Sequence, residues 1–253
     1  MLSCQSLEHR LDPDASARQL YLDLMKRCLT NTIYDPDAAD RSLPPAHWSG
    51  WPKQAHSMLG RKRLDNIQFC MERVIEDRIP GDVIETGVWR GGATIFMRAV
   101  LRAYDVRDRS VWVADSFEGL PHPSAAYPAD ADSTLHERSE LAVSLEEVAD
   151  NFRKYDLLDE QVRFLKGWFS ETLPDSPIDR LAVLRLDGDM YESTMDALMH
   201  LYGKLSAGGY LIVDDHGAVP ACQAAVRDFR NRYGIVSPII EVDWTAVYWR
   251  KLE

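Results

Sequence analysis

Carboxylates crowd two short stretches of this 253-residue chain, Asp187-Gly188-Asp189 and Asp214-Asp215-His216, each following an apolar run. Left unpaired at neighbouring strand ends, three or four carboxylates would repel one another strongly, so a bound cation is the natural resolution. Hard oxygen donors favour Mg2+ or Ca2+ over zinc. A second chemical signal is Glu85-Thr86-Gly87-Val88-Trp89-Arg90-Gly91-Gly92. Glycines between a strand and a helix let the backbone approach a ligand closely, and the helix start offers unpaired N–H groups. Glu85 at the head of the stretch would repel a pyrophosphate and welcome an ammonium or sulfonium. Asp115 ends the next apolar run, just before Ser116 and a turn. From that position a carboxylate can accept hydrogen bonds from both hydroxyls of a ribose.

The surrounding pattern must deliver these residues to one place. Short apolar runs at 82–86, 111–115, 162–166, 181–187, 210–214, 239–243 and 246–250 alternate with helical spacing at 92–104, 145–155, 193–205 and 220–233. Runs without polar alternation suit strands buried on both faces, as in parallel sheets. The βαβα order predicts a doubly wound, mostly parallel α/β sheet, with ligands outside the carboxyl ends of the strands. Only Trp244 and Thr245 separate the last two runs, too few residues for a crossover, so the sheet should close with an antiparallel hairpin. Upstream, Leu64, Ile67, Met71, Val74 and Ile75 predict a helix over 61–77, and Leu20, Leu24, Met25 and Cys28 mark the apolar face of an N-terminal helix. Residues 35–52 read as a loop or lid. The division is thus 1–60, an N-terminal helical lid segment, and 61–253, the main domain. Within it lies an insertion at 117–140, too long for a simple connection.

Composition sets limits. Lys and Arg number 29 against 40 Asp and Glu, a net charge of −11, and 45% of residues are apolar. Such a chain buries a full core without metal or disulfide staples. The acidic balance argues against an electrostatic grip on nucleic acid or an anionic membrane. Four scattered cysteines without CxxC spacing predict neither a disulfide framework nor a zinc site, and with no signal peptide or membrane span the expected location is the cytoplasm.

Taken together, the 85–92 stretch, Val111-Trp112-Val113-Ala114-Asp115-Ser116-Phe117, Leu186-Asp187-Gly188-Asp189-Met190-Tyr191 and Val213-Asp214-Asp215 resemble the macrocin-type sugar O-methyltransferases. The similarity extends from about Tyr21 to Arg250, through 55–60, Lys166-Gly167-Trp168-Phe169 and Val247-Tyr248-Trp249-Arg250. The resemblance implies a Rossmann-like class I methyltransferase sheet, S-adenosylmethionine and Mg2+ as cofactors, and a small glycosylated acceptor. It also implies a homo-oligomer, dimer or tetramer. Carried onto this chain, it makes Glu85, Thr86, Gly87, Val88 and Trp89 the cradle of the cofactor's amino-acid end, with Asp115 and Ser116 at the ribose. Gly167 and Trp168 would lie by the adenine. Asp187, Asp214 and Asp215 would hold Mg2+, with Asp187 also near the cofactor.

A sugar hydroxyl is a poor nucleophile near neutral pH and needs a base. Asp189, two residues beyond a metal ligand, is the first candidate; His136 in the insertion and His216 are its competitors. His56 and Met58 lie in a segment expected to fold over the cofactor, while Tyr34, Trp48 and Trp51 offer flat faces to a sugar or aglycone. Two other readings compete. Asp187-Gly188-Asp189 also matches the Asp-x-Asp pattern of metal-dependent glycosyltransferases, against which Glu85 argues; an NAD-dependent dehydrogenase would need a complete glycine fingerprint. A catalytically silent binding protein on the same fold is the non-enzymatic alternative.

Overall fold

The computed structural model describes residues 16–35 and 53–253. Five apolar runs form mutually parallel strands: β1 (Asp82–Thr86), β2 (Val111–Asp115), β3 (Val162–Lys166), β4 (Leu181–Leu186) and β5 (Leu205–Val213). Strands β6 (Ile240–Glu241) and β7 (Val247–Arg250) complete a seven-stranded sheet of order β3-β2-β1-β4-β5-β7-β6. β7 runs antiparallel to both β5 and β6, the hairpin that the short connection demands. The chain leaves β1 toward β2 and β3 and returns on its other side to β4 and β5. This reversal opens a crevice between β1 and β4.

Among the described residues, seven α-helices cover the sheet: α1 (Ala17–Leu29), α2 (Arg61–Glu76), α3 (Gly92–Ala103), α4 (Leu145–Lys154), α5 (Phe169–Thr172), α6 (Tyr191–Leu201) and α7 (Pro220–Tyr233). Alternate strand residues face opposite layers. Val83, Val113 and Val183 pack with Leu22, Ile67, Phe96 and Phe152 of α1 to α4. Ile84, Trp112 and Leu184 pack with Leu198, Val226 and Phe229 of α6 and α7. All six residues of β4 are buried, as a central parallel strand requires.

Several expectations shift. Helix α1 buries Leu22, Met25 and Leu29, whereas Leu20 and Leu24 are 41% and 46% exposed. On the buried side Lys26, 4% exposed, pairs with Asp65 on α2. Leu22, Met25 and Leu29 lie in the same buried cluster as Ile67 and Phe96. β5 starts five residues early, with Gly208-Gly209 inside the strand; a Cβ on Gly209 would stand 2.7 Å from the Ala182 carbonyl oxygen. α6 begins at Tyr191 and ends at Leu201, and β6 has two residues instead of five. Trp48 and Trp51 lie outside the described residues, and Tyr34 is 84% exposed. Cys28, Cys70 and Cys222 are free thiols.

Candidate active site

The strand ends around the crevice carry unusual backbone. Gly87 has φ +87°, and a Cβ there would lie 1.9 Å from the Asp187 carbonyl oxygen, so no other residue fits. Trp89, Phe117 and Asp189 adopt φ values of +49°, +59° and +55° just beyond β1, β2 and β4. Non-glycine residues hold this conformation only where surrounding contacts over-determine it, and such positions cluster at functional sites.

A cavity of about 360 Å³ lies over these turns, bordered by Met58, Gly87, Trp89, Asp115, Ser116, Gly167, Trp168, Asp187 and Asp189. Asp115 organises one side. Its two oxygens accept the N–H groups of Val88 and Phe117, each at 2.7 Å. Burial raises its pKa while these backbone donors oppose the rise. Gly167, at φ +138°, donates to the Asp115 carbonyl at 2.9 Å and brings the β3 turn alongside. Arg90 reaches the carbonyls of Ala55 at 3.0 Å and Lys53 at 3.2 Å, which draws the following residues, Met58 included, over the glycine turn. The Trp89 indole donates to the Glu140 carbonyl at 2.7 Å and ties the same turn to the end of the insertion. His56 does not line the cavity: Nδ1 shares a 2.6 Å hydrogen bond with the Tyr155 hydroxyl, and burial lowers its pKa to about 4.

Beneath the cavity lies a charged layer. Arg185, 1% exposed in the middle of the sheet, binds Glu85 at 2.6 Å, Asp187 at 2.7 Å and Asp214. Arg63 from α2 binds the other Asp214 oxygen at 2.5 Å and Asp243 at 3.1 Å. Asp187, Asp214 and Asp215 each offer an oxygen within 4.8 Å of the others. Glu85, Asp187, Asp189, Asp214 and Asp215 outnumber Arg63 and Arg185 in this layer. Burial, then neighbouring carboxylates, raise Asp189 and Asp215; Asp187 rises by burial against the pull of Arg185. The donor set therefore suits a hard divalent cation.

Some expected positions stay out of the cavity. Glu85 does not border the cavity: it is 2% exposed, beside Arg185 in register on β4, and that guanidinium binds its carboxylate at 2.6 Å, while Gly87, beyond the end of β1, does border it. It therefore cannot decide between a sulfonium and a diphosphate. Thr86 and Val88 are buried and serve through backbone. Asp214 and Asp215 stand behind Asp187. His136 packs its ring on that of His122, centroids 4.3 Å apart, and His122 rather than His136 borders the cavity. His216 is also outside the lining, its pKa lowered by burial and then Arg230. Of the three candidate bases only Asp189 borders the cavity.

Reading the sequence missed both arginines, although a charge within Leu-Ala-Val-Leu-Arg-Leu at 181–186 signals a buried ion pair. It also missed His122, Phe169, Ser170, Glu192, Ser193 and Asp196 along the wall. The four-residue α5 is too short for periodicity to reveal.

The family described as Macrocin-O-methyltransferase (TylF) matches residues 46–251. An 8-demethyl-8-(2,3-dimethoxy-α-L-rhamnosyl)-tetracenomycin-C 4′-O-methyltransferase of Streptomyces olivaceus is 56% identical, over 92% of this chain and 93% of that protein. A mycinamicin III 3″-O-methyltransferase of Micromonospora griseorubida is 51% identical, over 92% and 96%. A solved structure of the O-methyltransferase NovP superposes with a TM-score of 0.88 at 52% identity, covering 93% of this chain and all of that one. A calicheamicin methyltransferase at 18% identity and TM-score 0.61 shares the fold. With the sheet order, the glycine turn and a family match across four-fifths of its length, the chain belongs to the macrocin O-methyltransferase family.

Proposed function

We propose that this protein moves a methyl group from S-adenosylmethionine to a hydroxyl of a deoxysugar on an antibiotic-type natural product, with Mg2+ held by Asp187, Asp214 and Asp215. The observation that carries the reading is one cavity bordered by Asp115 and Gly87 and also by Asp187 and Asp189. β2 and β4 flank β1, so these acids stand on strands about 10 Å apart. A nucleoside end and a transfer end can thus be served separately. The relatives support the acceptor class, since the proteins from Streptomyces olivaceus and Micromonospora griseorubida, and a demethyldecarbamoylnovobiocin O-methyltransferase of Streptomyces niveus at 54% identity, are named for methylating such compounds.

When bound, S-adenosylmethionine supplies a methyl group on a positively charged sulfur, and Mg2+ lowers the pKa of a neighbouring hydroxyl. The chain's own residues do the rest. Asp115 accepts the ribose hydroxyls, Gly87 and Gly167 let backbone close in, Ser116 and Trp168 border the nucleoside, and the acidic floor favours a cationic sulfur. Asp189, exposed to the cavity and set beyond the cation ligands, takes the proton from the attacking hydroxyl. Met58, Leu120, Leu141 and Phe169 form apolar walls that keep water away and hold the partners in line.

Calorimetry with S-adenosylhomocysteine and with UDP, each with and without Mg2+, on wild type and Asp115→Ala tests the donor. Mass spectrometry of the glycosides after which the three relatives are named tests the acceptor. Binding of S-adenosylhomocysteine, weakened at least about tenfold by Asp115→Ala, and Mg2+-dependent addition of one methyl group are the expected results. Magnesium-dependent UDP binding without any response to S-adenosylhomocysteine would overturn the reading in favour of glycosyl transfer.

A further inference from the structure

We propose that Asp130 is a positioning residue for the acceptor, acting by bolting the insertion to the start of α6. The inference rests on the methyl-transfer reading of the cavity. Between Glu118 and Ala142 the chain runs over the surface, and Asp130, 1% exposed, is the one buried residue of that stretch. Its Oδ1 accepts the Tyr191 N–H at 2.7 Å and its Oδ2 accepts the Glu192 N–H at 2.9 Å. A helix start leaves such N–H groups without partners, and a neighbouring side chain usually caps them. Met190, in the capping position, has no oxygen to offer. The cap comes instead from sixty residues upstream. Around it, the Tyr127 and Tyr191 rings pack with centroids 5.9 Å apart, and the Tyr191 hydroxyl donates to Asp228 on α7 at 3.2 Å.

The two segments joined in this way form opposite parts of the cavity wall. The insertion contributes Leu120, Pro121 and His122; the first turns of α6 contribute Glu192, Ser193 and Asp196, just after Asp189. The bolt at Asp130, flanked by the Tyr127–Tyr191 contact, therefore sets the spacing between the residues that must surround a sugar. The nucleoside end, at Gly87, Asp115 and Gly167, belongs to β1, β2 and β3 and does not depend on it. Each N–H is met by its own oxygen, so an amide, with an NH2 donor in place of one of them, would turn a donor toward one of the two N–H groups.

The test compares Asp130→Ala, Asp130→Asn and Tyr127→Leu with wild type. Hydrogen exchange should quicken in Asp130→Ala both at 191–196 and across 119–141, with the turns after β1 and β2 unchanged. S-adenosylhomocysteine affinity should stay within about twofold, while KM for whichever of the three relatives' glycosides the wild type methylates rises about tenfold with kcat little changed. Asp130→Asn should fall between, and Tyr127→Leu, which leaves no buried polar group unpaired, should move KM in the same direction. Faster exchange at 191–192 alone, or a KM equal to wild type, would overturn the inference, since the cap would then be local. If the wild type methylates none of the glycosides, the acceptor reading fails and the exchange pattern alone decides the role of Asp130.

Discussion

Arg185 shows how single residues divide the labour at the crevice. One guanidinium binds a carboxylate within β1 and one just beyond the end of each of β4 and β5, which offsets their mutual repulsion. Breaking a buried pair from one side leaves charge stranded, and Arg185→Met should lower unfolding free energy by about 3–5 kcal/mol in urea titration. A loss below 1 kcal/mol would mean that the carboxylates simply protonate. Asp187 has a different job, because it borders the cavity and keeps an oxygen beyond the reach of Arg185. Asp187→Ala should cut methyl transfer about a hundredfold or more while S-adenosylhomocysteine binding changes only a few-fold. Parallel loss of both, measured by calorimetry and mass spectrometry, would make Asp187 a cofactor residue instead of a cation ligand.

At the scale of elements, the segment from Lys53 to Gly60 behaves as a strap over the glycine turn, fastened by Arg90 and by His56 to Tyr155. His56 titrates at about 4 in the fold against 6.5 for the free side chain. The unfolded chain therefore binds the proton first, and the stabilisation by neutral His56 is complete above pH 6.5 and declines as pH falls toward 4. Thermal midpoints of wild type should drop more over that interval than those of His56→Phe; equal slopes would remove His56 as the cause. The strands and the longer helices were legible in the sequence because buried parallel strands and amphipathic helices have strong periods, as at 181–186 and 61–76. The side chosen by α1, the early start of β5 and the cap from Asp130 were not. Each depends on partners far along the chain: Asp65 for Lys26, Ala182 for Gly209, Tyr191 for Asp130. Likewise Asp115 and Asp187 could be read as strand-end acids, while Glu85 could not be assigned its arginine without the register of β1 on β4.

Considered as a whole molecule, the chain gathers part of its net charge of −11 at the carboxyl ends of the central strands β4 and β5. A cation bound there would stabilise the entire domain by mass action. At a hundredfold excess over Kd, Mg2+ should add about 2.7 kcal/mol. For a domain of this size that is a rise of roughly 5–10 °C in Tm. Scanning calorimetry of wild type against Asp215→Asn checks this, and an equal rise in both would place the effect elsewhere. No helix among the described residues is long and apolar enough to cross a membrane.

The pairing of Glu85 with Arg185 also bears on how the chain is made. β1 lies between β2 and β4, yet a hundred residues separate the carboxylate from its counter-charge. While the chain is being synthesised, β1, β2 and β3 emerge first and can pair, but only with an uncompensated acid in their midst. Burying that acid before β4 arrives carries a heavy desolvation cost. Until Arg185 is made, Glu85 can be buried only as the neutral acid, so the charged floor of the crevice can assemble only once β4 has joined β1.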